Sequence, residues 1–412
     1  MNKIYRLIWN APTHTWIAVA EIVRARGKRA SRMVTLAASL GLVAPGAVLA
    51  QAPPAPNQLP VGGRVVAGQA GLSQSGSTLT ITQGSSRAAL DWSSFNIGKD
   101  AQVHYQQPTG GVALNRINDS NASQIFGRLT ASGQVFLSNP NGVYFSPSAR
   151  VDVGGLVATT HRISLEDFMA GRATFDRQGA SGAILNEGEL RSALGGYIAL
   201  LAPEVRNQGV IVANLGTVAL AAGEAFELQF DANNSLAGLR VSPATVKALV
   251  ENRHAVLAPG GLVVLSAQAV DRVQGGVVNN RGRVEATGLA QRGGRLVLEA
   301  SERIENGGTL AANAGVDGPA GTLRLQASAV VNDGRIEARG VTESISGAGS
   351  AASLSSPTEN SQAGGRLLIQ AGEFSQRGTG VMDASGTRQG GDVAVQVSGV
   401  ATLQGQVQAH KR

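Results

Sequence analysis

Cysteine is absent from the 412 residues, and aromatic residues make up only 4% of them. The first absence excludes disulfides and thiolate metal sites, and leaves no thiol to be oxidised during export. The second argues against one core of interlocking large side chains. With 54 glycines, it suits a repetitive β architecture with many turns. Neither a Gly-x-Ser-x-Gly nor a Walker sequence is present, which removes the usual signals for a serine hydrolase or a nucleotide-binding loop. The five histidines, His14, His104, His161, His254 and His410, are scattered without metal-ligand spacing and read as surface or turn residues. No cofactor and no metal are expected.

The formal charge of +7 is unevenly distributed. Residues 1–50 hold seven of the 35 basic side chains and one of the 28 acidic ones, leaving 28 and 27 for the rest. A remainder near neutrality has no general pull on phosphate, so no nucleic-acid partner is expected.

The basic excess belongs to a leader. Met33 to Ala50 is apolar, follows Arg26-Gly27-Lys28-Arg29 and Arg32, and ends in Val48-Leu49-Ala50 before Gln51. That is a charged region, an apolar region and a small-residue cleavage site, with cleavage expected between Ala50 and Gln51 and a minor alternative after Ala52. Pro45 and Gly46 leave too short an apolar run to span a membrane comfortably. Ahead of it, Met1 to Asn10 and Trp16 to Glu21 form a basic amphipathic segment, which from its residues alone reads as a helix.

Residues 51–63 contain a proline-rich linker. Beyond it, short alternating segments such as Leu79 to Thr82 and Ala101 to Tyr105 are separated by Gly, Asn, Ser and Pro, as expected of strands and turns. Two stretches read as short external helices. Ser164 caps Leu165 to Ala170, with Gly171 as a stop. Ser242-Pro243 opens a second, to about Asn252.

Internal repeats carry the fold. Asn280, Asn306 and Asn332 recur every 26 residues, with Gly282, Gly308 and Gly334, and Val284, Leu310 and Ile336, in step. Asn186 and Asn207 are 21 apart. Such a period predicts an all-β, right-handed parallel β-helix with short extra-helical β and α elements. Apolar residues would stack inward and corner asparagines would form ladders. The residues after Ala50 would make roughly 14 to 16 turns over about 70 Å. Residues 341–363, rich in Ser, Gly and Ala, read as a mobile loop between two turns. Gln404 to His410 still alternate with no polar cap, a pattern expected of a truncated or split gene.

The centre of the chain is Ser138-Asn139-Pro140-Asn141-Gly142-Val143. Pro140 suits the second position of a β-turn, and Asn141 and Gly142 tolerate the turn and a positive φ. By itself this is a tight turn between two strands. Its surroundings are more specific. Leu114-Asn115-Arg116-Ile117, Ser123 to Leu129, Gly133 to Phe145 and Val151 to Thr160 occur in order, with Trp92 to Gly98 upstream. This succession resembles the secretion domain of filamentous haemagglutinin-type exoproteins, the passengers of two-partner secretion, over residues 64–267. Residues 268–412 then continue the repeats, and residues 1–50 resemble the extended signal region of large Gram-negative exoproteins. A second tetrapeptide found in one branch of that family, Asn-Pro-Asn-Leu, is absent.

The resemblance implies export by the general secretory machinery to the periplasm, then through a dedicated outer-membrane transporter. It implies that the transporter captures the region of Asn139, Pro140, Asn141 and Gly142, with Asn115 and Arg116 in the same motif set. The implied activity is that of a secreted or surface adhesin or haemagglutinin, with a host-cell glycan or protein as receptor, and not an enzyme. A cytolysin, a haem-binding protein or a contact-dependent toxin carrier would share the same amino-terminal domain. The competing class is a β-helical polysaccharide lyase or hydrolase, which needs clustered carboxylates with Arg or Lys on one face. Glu187, Glu189 and Arg191 are the local candidates, and a solvated outer face explains them equally.

Overall fold

The computed structural model describes residues 5–10, 15–20, 52–232, 234–271, 275–315, 317–341 and 362–411. The cleavage expected at Ala50 and Gln51, His14, and residues 342–361 of the expected loop lie outside these. Within the leader, strands Tyr5–Asn10 and Thr15–Ala20 pair antiparallel, where the residues alone suggested a helix. Both segments are rich in aromatic and β-branched residues, which favour extended backbone.

From residue 52 the chain is a parallel β-helix. Three strand stacks run its length. One starts at Thr78–Gln83 and ends at Gln406–Gln408. The second runs from Arg87–Trp92 to Asp392–Val397. The third runs from Ser123–Ile125 to Ala401–Leu403. Among the described residues the first stack holds 12 strands, fewer than the 14 to 16 turns expected. At about 4.8 Å per step it spans roughly 50 Å. The shortfall arises because some turns carry insertions, so the chain runs sideways as well as along the axis.

Alternation within each strand turns apolar side chains into the lumen, where they stack on the turn above and below. Val256, Val284, Leu310, Ile336 and Met382 form one such column with no exposed surface. Each contributes about 1.5–3 kcal/mol relative to exposure. At the corner after the third stack, buried asparagine amides form a ladder. Asn186 donates to Asn207, Asn207 to Asn252, Asn252 to Asn280, Asn280 to Asn306 and Asn306 to Asn332, each at 2.8 Å. The amino-terminal edge is closed by Arg64–Ala67 and Ala70–Ser75, which pair antiparallel with the first strands of two stacks and so block further parallel pairing on that side.

Two insertions, one after Arg150–Thr159 and one after Thr217–Ala222, build a flap. Strands Ala173–Asp176, Ala225–Phe230 and Leu236–Ser242 form an antiparallel sheet in that order. Phe175, Phe226 and Leu228 from this sheet join Phe136, Tyr197 and Ala199 of the β-helix in a second core outside the lumen. The helix Leu165–Met169 adds Phe168 to it. That helix starts as expected, with the Asp167 N–H donating to Ser164 Oγ at 3.0 Å, and it ends before Gly171 at φ +82°. The second expected helix does not form. Ala248–Asn252 is a strand, pairing with Glu204–Asn207 and Gly276–Asn280. Its placement buries Val250 and puts Asn252 in the ladder, and these tertiary gains outweigh the helix-start signal of Ser242-Pro243.

Candidate functional site

The strand Gln134–Ser138 ends where Asn139 leaves the sheet. The Gly142 N–H donates to Asn139 O at 3.0 Å, closing a four-residue turn. The Asn141 N–H donates to Asn139 Oδ1 at 3.0 Å, adding an Asx turn inside it. Gly142 has φ +115°, and a β-carbon there would lie 2.7 Å from Ala183 O. Only glycine fits on both counts.

The turn is tied to the preceding coil. Asn139 has no exposed surface, and its Nδ2 donates to Asn121 O and Ser123 Oγ, each at 3.0 Å. The Asn139 N–H donates to Thr159 O on the following coil at 3.0 Å. Asn141 is exposed, and its Nδ2 donates to Asp119 O at 2.7 Å. Asp119 Oδ1 in turn accepts from the Asn121 N–H at 2.9 Å. Two stacked turns, 119–121 and 139–142, therefore form one corner. Pro140 and Asn141 face outward, while Asn139 and Gly142 work from inside.

Asn115 and Arg116 lie on the strand Val112–Ile117 and point opposite ways. Asn115 is fully buried. Its Oδ1 accepts from Trp92 Nε1 at 2.9 Å and from the Tyr105 hydroxyl at 2.7 Å, and its Nδ2 donates to Phe136 O at 3.2 Å. Burial pushes the Tyr105 hydroxyl far above its usual range, so it stays a neutral donor. Arg116 is partly exposed and grips Asp91 with two bonds of 2.7 and 3.0 Å. A polar cleft of about 350 Å³ opens beside this pair, lined also by Asn118, Ser138 and Arg162. The six residues expected at the site thus divide. Pro140, Asn141 and Arg116 reach the surface, and Asn139, Gly142 and Asn115 hold them from within.

This corner lies in the part of the chain that matches the model of the TPS secretion domain, residues 57–312. The chain belongs to the TPS secretion-domain family. TPS denotes two-partner secretion, and residues 1–50 match the extended signal peptide of the type V secretion system. The TPS chain is therefore a two-partner secretion passenger, secreted through the periplasm and outer membrane of a Gram-negative cell. It is 34% identical over 253 residues to a haem/haemopexin-binding protein of Haemophilus influenzae strain Rd, across 59% of this chain and 27% of the relative. A second Haemophilus influenzae protein of that name is 33% identical over 249 residues, across 54% of this chain and 26% of the relative. The chain spans about a quarter of the length of these curated relatives. Its fold is that of the HMW1 secretion domain of Haemophilus influenzae, with a TM-score of 0.74 and 24% identity over 85% of this chain and 90% of that one.

Elsewhere in the TPS chain the candidate carboxylates are engaged. Glu187 accepts from the Tyr144 hydroxyl at 2.6 Å, and burial, with Glu187 beside it, pushes that hydroxyl up to about 12. Glu189 sits between Arg191 and Arg150, the latter at 3.4 Å. His161 corrects the surface reading, because it is wholly buried at a bend of the backbone. Its Nε2 lies 3.1 Å from Gly223 O, and its ring packs 4.5 Å from Phe226 of the flap. Sequence reasoning also passes over Asp119 and Asn121, and gives Ser123 no part in holding the turn. Asp119 precedes Asn141 by 22 residues, the same offset that pairs Arg116 with Ser138, so the repeat length alone could have placed them together.

Proposed function

We propose that the outer-membrane transporter recognises this passenger at the two-turn corner, reading Pro140 and Asn141 with the 119–121 turn beside them. The observation that carries this reading is the division of labour within the tetrapeptide. Two residues face solvent, and the other two hold them in place. A turn needed only to reverse the chain would not require a buried amide with two donated bonds and a third accepted one. Arg116 and its cleft lie next to the corner and extend the same surface. Binding of the purified chain to the transporter's periplasmic domains tests the reading. Asn141→Ala is expected to weaken that binding while leaving the circular dichroism spectrum unchanged. Full-strength binding by the folded variant would remove the corner's special role.

Outside the cell we propose a binding role, as a surface or released adhesin, for the exoprotein of which this chain provides the secretion domain. The relatives named as haem/haemopexin-binding proteins favour a second, narrower reading, in which the target is a haem-carrying serum protein. Pull-down of haemopexin, with and without haem, by the secreted protein separates the two, and a polysaccharide-degrading activity against acidic glycans would count against both.

A further inference from the structure

A groove of about 1290 Å³ lies where the flap stops short of covering the β-helix face. Its wall includes Thr174 and Ala225 to Glu227 of the first two flap strands and Leu239 to Ser242 of the third. That third strand, Leu236–Ser242, pairs on one side with Ala225–Phe230 and has no strand on the other among the described residues. Its floor includes Val264. Under the flap, the outward side chain of the preceding coil is the buried Ala219. Val264 and Val297 continue that column in register, and they are only half-buried. The flap–helix interface thus runs on past the flap's edge, with no flap strand above it among the described residues. Val270, 66% exposed, stands at the rim.

The outer face of the flap carries a charge pattern that also stops at this edge. Thr174, Glu227 and Arg240 sit side by side on the three strands. Glu227 and Arg240 approach to 3.7 Å, and the Arg240 side chain is 74% exposed. A fourth strand would place its own residue on the free side of Arg240, where a carboxylate is the favourable neighbour.

We propose that the free edge of Leu236–Ser242 accepts an extended strand from a partner protein, with apolar side chains turned down onto Val264 and Val297 and an acidic residue beside Arg240. Backbone groups of the edge would give affinity, and the alternating floor and face would give selectivity. A second copy of this chain is the poorer occupant. The strand Leu-Ala-Gly-Leu-Arg-Val-Ser contains no acidic residue, so edge-to-edge pairing would place none on the free side of Arg240, opposite Glu227.

The test uses the purified secreted chain and a fluorescein-labelled peptide, Thr-Val-Glu-Val-Glu-Val-Thr. Controls are the same peptide with N-methylated alternate amides and with Lys for each Glu. Saturable binding of the acidic peptide is expected, with slowed hydrogen exchange across residues 236–242. The N-methylated control should not bind. Val264→Lys and Val297→Lys, both at outward positions, should each weaken binding at least about tenfold. Arg240→Glu, on an exposed side chain, should reverse the preference towards the Lys peptide. Failure of the acidic peptide to bind, binding indifferent to all three substitutions, or protection elsewhere than residues 236–242 would overturn the proposal. Concentration-dependent dimerisation that protects residues 236–242 without peptide would overturn it in favour of a second copy.

Discussion

The Asn141 N–H donates to Asn139 Oδ1 at 3.0 Å, so a fully buried side chain fixes the backbone of an exposed one two residues later. Asn139 is held in turn by Asn121 and Ser123 of the preceding coil. A β-helix allows this because each corner rests on the corner below. The same stacking builds the asparagine ladder and the inward apolar columns. Surface presentation at residues 140–141 is therefore a property of at least two turns of the solenoid, and substitutions can be sorted by which layer they touch.

Gly142→Ala tests the inner layer. It places a β-carbon 2.7 Å from Ala183 O at a φ of +115°. The expected cost is on the order of 1–3 kcal/mol, read as a lower melting temperature, with export falling in proportion to folded protein. Wild-type melting would mean that the turn relaxes freely.

Asn306→Ala interrupts the ladder. It removes the acceptor of Asn280 and the donor to Asn332. Each buried group left unsatisfied should cost about 1–3 kcal/mol. Hydrogen exchange should quicken in the adjacent coils and not near the amino-terminal cap, since solenoid repeats couple mainly to neighbours. Uniform loss of protection along the chain would contradict the ladder's local role.

Leu310→Asp puts a carboxylate between Val284 and Ile336 with no charge partner in the column. A loss of several kcal/mol is expected, seen as protease cleavage near the substituted turn while the amino-terminal coils remain resistant. Unchanged protease resistance would show that the column is not packed as described.

His161 gives the flap a pH dependence. Burial holds its imidazole well below the usual value, at about 4, so the folded state keeps it neutral. Below the unfolded value of about 6.5, the unfolded chain takes up a proton that the folded chain does not. The stabilisation is complete above that value, declines as pH falls, and is gone once pH passes below about 4. Its size is on the order of 3 kcal/mol. Thermal melts between pH 7 and 4 should show this slope, and His161→Gln should flatten it. An equal slope in the variant would assign the dependence to other groups.

The repeat spacing of Asn280, Asn306 and Asn332 is enough to read the solenoid, its inward column and its ladder, because stacking forces identical positions into contact. The number of coils is overestimated from sequence because a repeat count cannot see the chain diverted into the flap. The stretch 243–252 is misread because Ser-Pro is a local signal, while the pairing of Val250 and Asn252 with neighbouring coils is not. At the corner, the turn is legible from Pro140 and Gly142 alone. The burial of Asn139 is not, since it depends on Asn121 and Ser123 arriving from another coil. His161 escapes for the same reason, as nothing near it in sequence announces Gly223 or Phe226.

The most direct test compares Asn139→Asp with Asn141→Ala, measuring secreted against periplasmic protein with the transporter present and the melting temperature of each purified chain. Asn139→Asp should lower both, because a buried carboxylate would face Asn121 O and lose the donated bonds. Asn141→Ala should melt close to wild type and still be poorly secreted. Secretion of Asn141→Ala at the wild-type ratio, from a chain of wild-type stability, would contradict recognition at this corner.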